Sequence, residues 1–214
     1  MADDRLARIE ACGVVAVVRL DDLVDAVPLA YALVDGGIEI IEFTLTNPRA
    51  IDAIKTVKAA LGTRCLVGAG SVVTAEQVEM VGDAGAAFVV SPVCSQVVIM
   101  TSRSLSMLVI PGAYTPTEIQ HAWELGASVV KVFPARSLTP HYIKDVLAPL
   151  PHLRLMPTGG IDLANAADYI GAGAFAIGVG GSLIDKDCVA SRDWATLSKR
   201  AHAFVEVIHG ARQR

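Results

Sequence analysis

Apolar residues along this chain fall into short β-branched runs and longer stretches with helical spacing, and the two kinds alternate. The punctuation between them repeats. A helical tail ending in Gly or Gly-Ala is followed at once by a β-branched run at Asp35-Gly36-Gly37 before 38–43, Ala84-Gly85-Ala86 before 88–90, Leu125-Gly126-Ala127 before 129–133, and Gly171-Ala172-Gly173 before 175–179. Glycine in left-handed geometry ends each helix, and a strand starts directly. The copies lie about 40 to 50 residues apart, twice the length of a βα unit, so a further strand belongs between each pair. Runs 14–19, 65–68, 107–110 and 153–156 supply these, which brings the expected count to eight strands.

Between the strands lie amphipathic stretches, such as Ala50-Ile51 with Ala53, Ile54, Val57 and Leu61, and Ile119 with Ala122, Trp123 and Leu125. An N-terminal helix and a helix near 194–209 bracket the repeats. Asp22 and Asp25 resemble a capping pair for the first repeat helix, while Pro28 should kink that helix or delay its start. Alternating βα units in a chain of 214 residues without a Pro/Gly/Ser linker read as one domain over 1–214. The expected fold is α/β, a closed (β/α)8 TIM barrel with an N-terminal helix, and a doubly wound open sheet is its alternative. Composition agrees, since 53% hydrophobic but only 5% aromatic residues leave Ala, Val, Leu and Ile as the apolar mass, as in parallel strands covered on both faces.

Charge narrows the function. A net charge of -4, with no basic run, gives nucleic acid no electrostatic footing. No apolar run reaches membrane-spanning length, and the acidic start, Met1-Ala2-Asp3-Asp4-Arg5, lacks an apolar signal core, so a cytoplasmic location is expected. Cys12, Cys65, Cys94 and Cys188 are widely separated and read as inert thiols in a reducing compartment. His121, His141, His152, His202 and His209 form no pair at ligand spacing, so no metal site is expected.

Three charges interrupt apolar strands. Of the six lysines only Lys131 sits between valines, Val129-Val130 and Val132-Phe133, and alternation aims it into the barrel with Phe133. Burial lowers a lysine's pKa, and a neutral amine attacks carbonyls to form imines. A structural pairing with a carboxylate, or a clamp on a substrate phosphate, would also explain it. Glu42 shares an inward face with Ile40 and Thr44 and could shuttle protons for such an imine, or simply pair with Lys131. Arg19 ends the first strand on the face of Val15 and Val17, where it could clamp a carboxylate or stay solvated. Gly-rich turns are expected after the third, seventh and eighth strands, at Gly68-Ala69-Gly70-Ser71, Pro157-Thr158-Gly159-Gly160 and Gly178-Val179-Gly180-Gly181-Ser182. Their N–H groups suit an anion, although tight turning alone would select the same glycines.

In this order the motifs resemble a known family. Ile41-Glu42-Phe43-Thr44-Leu45, Gly68-Ala69-Gly70-Ser71, Ser91-Pro92, Ile110-Pro111-Gly112, Lys131-Val132-Phe133-Pro134, Pro157-Thr158-Gly159-Gly160 and Gly180-Gly181-Ser182 are similar to those of the 2-keto-3-deoxy-6-phosphogluconate (KDPG) and 4-hydroxy-2-oxoglutarate (KHG) aldolases over nearly the whole chain. The resemblance implies that Lys131 forms the Schiff base and that Glu42 is the general acid and base. It implies a phosphate cradle of Gly159, Gly160, Gly180, Gly181 and Ser182, a pocket lined by Thr44, Pro92, Phe133 and Thr158, and a carboxylate site at Arg19 and Ser71. Thr46 stands where many relatives carry arginine and Ser71 where they carry threonine, while a subgroup places an arginine where Arg19 stands. Thr158 points to the gluconate rather than the galactonate epimer. The resemblance further implies a phosphorylated 2-keto acid as ligand, no metal or organic cofactor, and a homotrimer. A phosphosugar isomerase or epimerase, which would bind phosphate without a covalent adduct, and a non-catalytic phosphate-binding barrel are the rival readings.

Overall fold

Residues 4–213 are described in this computed structural model, so the expectation for the acidic start falls partly on Met1, Ala2 and Asp3, outside the described residues. The elements run α1 (Asp4–Cys12), β1 (Val14–Val18), α2 (Ala26–Asp35), β2 (Ile40–Thr44), α3 (Ala50–Leu61), β3 (Leu66–Gly70), α4 (Ala75–Asp83), β4 (Phe88–Val90) and α5 (Gln96–Ser104). They continue as β5 (Leu108–Ile110), β6 (Gly112–Ala113), α6 (Pro116–Glu124), β7 (Val130–Val132), α7 (Pro140–Leu147), β8 (Leu155–Pro157), α8 (Ala166–Gly171), β9 (Ile177–Val179), α9 (Lys186–Ala190) and α10 (Trp194–Arg212). Each expected strand has its counterpart, with edges moved by at most two residues and β4 unchanged.

The fifth run also extends past its expected end at 110, with an interruption. Pro111 lacks the N–H that would carry the ladder onward, so the fifth run appears as β5, paired with β4, and β6, paired with β7. The result is a curled parallel sheet in two parts, ordered β5-β4-β3-β2-β1-β9 and β6-β7-β8. Backbone bonds cross both seams. Ser128 N donates to Val109 O at 2.9 Å and Lys131 N to Pro111 O at 2.9 Å, and on the other side Phe175 N donates to Leu155 O at 2.9 Å. A parallel bridge also joins Thr158 to Gly178.

The recurring glycines behave as the pattern required. Gly37, Gly85, Gly126 and Gly173 have φ of 94°, 88°, 98° and 99°, a region costly for any residue with a Cβ. Thr74 with Gln77 and Thr115 with Glu118 form reciprocal capping boxes that start α4 and α6. Asp25 stands at the N-cap of α2 without a side-chain bond to it, so the expected aspartate cap is absent. Pro28 delays that helix rather than kinking it: α2 begins at Ala26, which leaves Pro28 in the first turn, where an N–H has no intrahelical acceptor.

Strands β1, β2 and β3 are buried at every position, which is why their runs are apolar or glycine apart from Glu42 and Thr44. Helix α1 lies under the N-terminal strand ends, with Arg8 paired to Glu39 just before β2 and Arg5 donating to the Ala87 carbonyl just before β4. α10 packs on α2 and α8. α1 thus covers the lower end, α10 completes the outer layer of helices, and the C-terminal strand ends carry the open cavity.

Candidate active site at the C-terminal strand ends

A cavity of about 530 Å3 opens at those ends. Its wall is built from alternate residues of successive strands: Val17 and Arg19 from β1 and its exit, Lys131 and Phe133 from β7 and its exit, Thr158 after β8, and Gly178 and Gly180 from β9 and its exit. The period-two alternation expected for Lys131 and Phe133, and for Val17 and Arg19, is therefore the observed one. Gly159, Gly160, Gly181 and Ser182 complete the rim.

Lys131 is 4% exposed, whereas the other five lysines are exposed. In register it lies between Gly112 of β6 and Met156 of β8, and its Nζ is 4.8 Å from the centre of the Phe133 ring. Burial holds its pKa below the ordinary lysine value, the Glu42 carboxylate pulls it back up, and Arg19 pushes it down. Glu42, 1% exposed, sits between Val17 and Gly68 in register. Burial raises its pKa, against the opposing pull of Lys131 and Arg19. Its Oε2 has no hydrogen-bond partner among the described residues. Both shifts run towards the neutral forms, the direction that favours carbonyl addition by the amine and dehydration by the carboxyl.

Two expected turns are corrected. Gly68, Ala69 and Gly70 lie inside β3, paired with Glu42, Phe43 and Thr44, and Ser71 alone makes the turn, at φ 60°. These glycines make room for side chains: a Cβ on Gly68 would lie 2.5 Å from the Phe88 ring, and one on Gly70 would lie 2.5 Å from Glu42 Oε1. Gly178 likewise lies in β9, where a Cβ would meet Thr158 Oγ1 at 2.3 Å. Gly159 and Gly160, with φ of 95° and 79°, do form the expected turn.

Glu42, Thr44, Ser71 and Pro92 are not part of the cavity wall. The Thr44 hydroxyl donates to the Val18 carbonyl at 3.2 Å and lies 2.9 Å from that of Thr46, so it ties β2 to β1. The Pro92 carbonyl lies against Gly112, the neighbour of Lys131. The Ser182 hydroxyl donates to the Ile161 carbonyl at 2.6 Å and braces the two Gly-rich loops against each other. The wall also contains Ile161, Asp162 and Arg136, which sequence reasoning missed. For Arg136 the available signal was a lone cation three residues beyond Phe133. Cys65, with its thiol pushed up to about 12 by burial, takes no part in the cavity. Among the described residues, no group of three or more His, Cys, Asp or Glu side chains is arranged so that it could hold a metal ion.

The sequence matches the KDPG and KHG aldolase family over residues 6–200. The chain belongs to that family. It is 38% identical to the 2-dehydro-3-deoxy-phosphogluconate aldolase of Treponema pallidum over 205 residues, 94% of this chain and 95% of the other. The KHG/KDPG aldolase of Escherichia coli K12 is 33% identical over 195 residues, 90% of this chain and 91% of that one. Among solved structures, KDPG aldolase from Legionella pneumophila, with pyruvate captured at low pH as a covalent carbinolamine, superposes with a TM-score of 0.85 at 28% identity and covers 93% of this chain and 97% of its own.

Proposed function

We propose that this protein is a class I aldolase that reversibly cleaves 2-keto-3-deoxy-6-phosphogluconate to pyruvate and glyceraldehyde 3-phosphate, and acts also on 4-hydroxy-2-oxoglutarate. The observation that carries this reading is Lys131, nearly fully buried in a cavity wall and held below its ordinary pKa. The neutral Nζ adds to the C2 carbonyl to give a carbinolamine, and Glu42 supplies the proton that lets its hydroxyl leave as water. In the resulting iminium the C3–C4 bond breaks, its electrons pass into the nitrogen, and Glu42 takes the proton of the C4 hydroxyl. Reprotonation at C3 and hydrolysis release pyruvate and regenerate the amine. No metal or organic cofactor enters these steps. The pyruvate carbinolamine of the Legionella protein supports the covalent route.

Arg19 holds the substrate carboxylate with help from the Ser71 turn, while Gly159, Gly160, Gly180, Gly181 and Ser182 cradle the phosphate. Thr44, Pro92, Phe133 and Thr158 shape the pocket between them. The backbone bonds across both seams support closure of the curled sheet as a (β/α)8 barrel, one domain over 1–214. Four unbridged cysteines fit a cytoplasmic location. A homotrimer is supported by exposed apolar side chains on the adjacent helices α4 and α5, where Met80, Val97 and Met100 are 52%, 52% and 56% exposed.

Borohydride reduction in the presence of pyruvate, followed by peptide mapping, tests the assignment. A stable adduct is expected on Lys131, with turnover in Lys131→Ala reduced by about 10³-fold or more. An adduct elsewhere, or none, would return the protein to the isomerase or binding readings.

A further inference from the structure

Arg136 belongs to the same cavity but to no motif of the family resemblance. It sits in a single turn of 3-10 helix, Ala135–Ser137, that follows the lysine strand. That turn is fixed on both sides. Ala135 N donates to the Thr158 carbonyl at 2.9 Å, Leu138 N closes onto the Ala135 carbonyl at 2.9 Å, and the Tyr169 hydroxyl donates to the Leu138 carbonyl at 2.8 Å. The arginine stem therefore lies against the Gly159-Gly160 turn: a Cβ on Gly160 would stand 3.0 Å from Arg136 Cβ and 3.3 Å from its Cγ. Any side chain at 160 would push the arginine aside.

The guanidinium is uncommitted, with no ion-pair partner among the described residues. The only carboxylate in the cavity wall, Asp162, has its Oδ1 occupied by the N–H groups of Ala164 and Asn165 at 2.9 and 3.2 Å. The other two cations of the wall, Arg19 and Lys131, act on Glu42. Backbone N–H groups offer a phosphate only partial charges, and the Ser182 hydroxyl is already spent on Ile161. A phosphate monoester carries nearly two negative charges at neutral pH. An exposed guanidinium on a stem that packs beside the glycine turn supplies the full positive charge that the cradle otherwise lacks.

We propose that Arg136 is a specificity-determining residue that clamps the substrate phosphate over the Gly159-Gly160 turn and selects phosphorylated over unphosphorylated 2-keto acids. This rests on the aldolase reading for the identity of the substrate, while the binding of phosphate by Arg136 can be measured without turnover. Inorganic phosphate is titrated into wild type, Arg136→Ala and Arg136→Lys by 31P NMR. The dissociation constant is expected to rise about tenfold in Arg136→Ala and much less in Arg136→Lys, with the difference shrinking at high ionic strength. In steady-state assays the KM for the phosphorylated substrate rises by a similar factor at nearly constant kcat, because the contact is uniform between ground and transition states. The KM for 4-hydroxy-2-oxoglutarate, whose distal group is a singly charged carboxylate at C5 rather than a phosphate, rises much less. Equal phosphate affinity in wild type and Arg136→Ala, or equal KM losses on both substrates, would overturn the assignment. Failure of borohydride trapping at Lys131 would instead remove the aldolase reading and leave the phosphate titration standing.

Discussion

Lys131 and Glu42 each lose solvation on folding, and in neither does the other's charge restore it, since both pKa values stay displaced towards the neutral form. The pair therefore costs stability, and replacing it with apolar side chains should return about 1–4 kcal/mol. Lys131→Met/Glu42→Leu is expected to unfold at higher urea than wild type at pH 7, with no aldol turnover. The pH dependence has two opposite limbs. Glu42 has a folded pKa above the unfolded 4.5, so its penalty is absent below that value and grows as pH rises towards the folded one. Lys131 has a folded pKa below the unfolded 10.5, so its penalty is complete below the folded value and disappears as pH approaches 10.5. The gain in the double variant should thus be largest between these limits and smaller towards each, and a gain independent of pH would contradict the burial account. Both residues were legible in the sequence, because a charge inside a β-branched run has few explanations. Arg136 was not, because an arginine beyond a strand end reads as solvated until the fold sets it against Gly160.

At the scale of elements, the strands make space for the site through glycine. Gly112 of β6 lies opposite Lys131, and a Cβ there would come 2.3 Å from the Pro92 carbonyl oxygen and 2.4 Å from its carbon. Because the obstacle is backbone, Gly112→Ala should move β6 and lose about 3 kcal/mol of stability. Gly210, within α10, has nothing within 4 Å of the same position. Gly210→Ala should be stabilising by about 0.5 kcal/mol, through helix propensity and a less flexible unfolded chain. Urea denaturation of the two variants checks both signs. The same feature explains why Gly68-Ala69-Gly70 read as an anion-binding turn and proved to be strand. A glycine needed for positive φ and one needed for close approach look identical in sequence, and only Gly159 and Gly160 are of the first kind within the cavity wall.

Across the whole molecule, α1 covers the N-terminal strand ends and the cavity opens at the other end. The residues there come from β1, β7, β8 and β9 and their exits, far apart in sequence, so a loss of sheet curvature would disperse them. Exposed Val97 and Met100, one helical turn apart on α5, lie on a face that the trimer reading covers. On that reading the wild type should sediment as a trimer and Met100→Glu should shift it towards monomer in sedimentation velocity, with the folded state retained; a monomeric wild type would remove the trimer reading. An unchanged trimer would place the interface elsewhere.

The alternation of β-branched runs with helical stretches and the glycine phrase between them were enough to determine the element order, because burial on both faces demands continuous apolar strands and each helix needs a left-handed stop. The inward charges at Arg19, Glu42 and Lys131 were determined in the same way, by period-two geometry along one strand. Which strands became neighbours, where Pro111 broke the ladder, that Thr44 and Ser182 spent their hydroxyls on Val18 and Ile161, and that Arg136 came to rest on Gly160 were decided only by the tertiary structure. These are relations between residues distant in sequence. No local pattern constrains such contacts, because they depend on how the sheet curls.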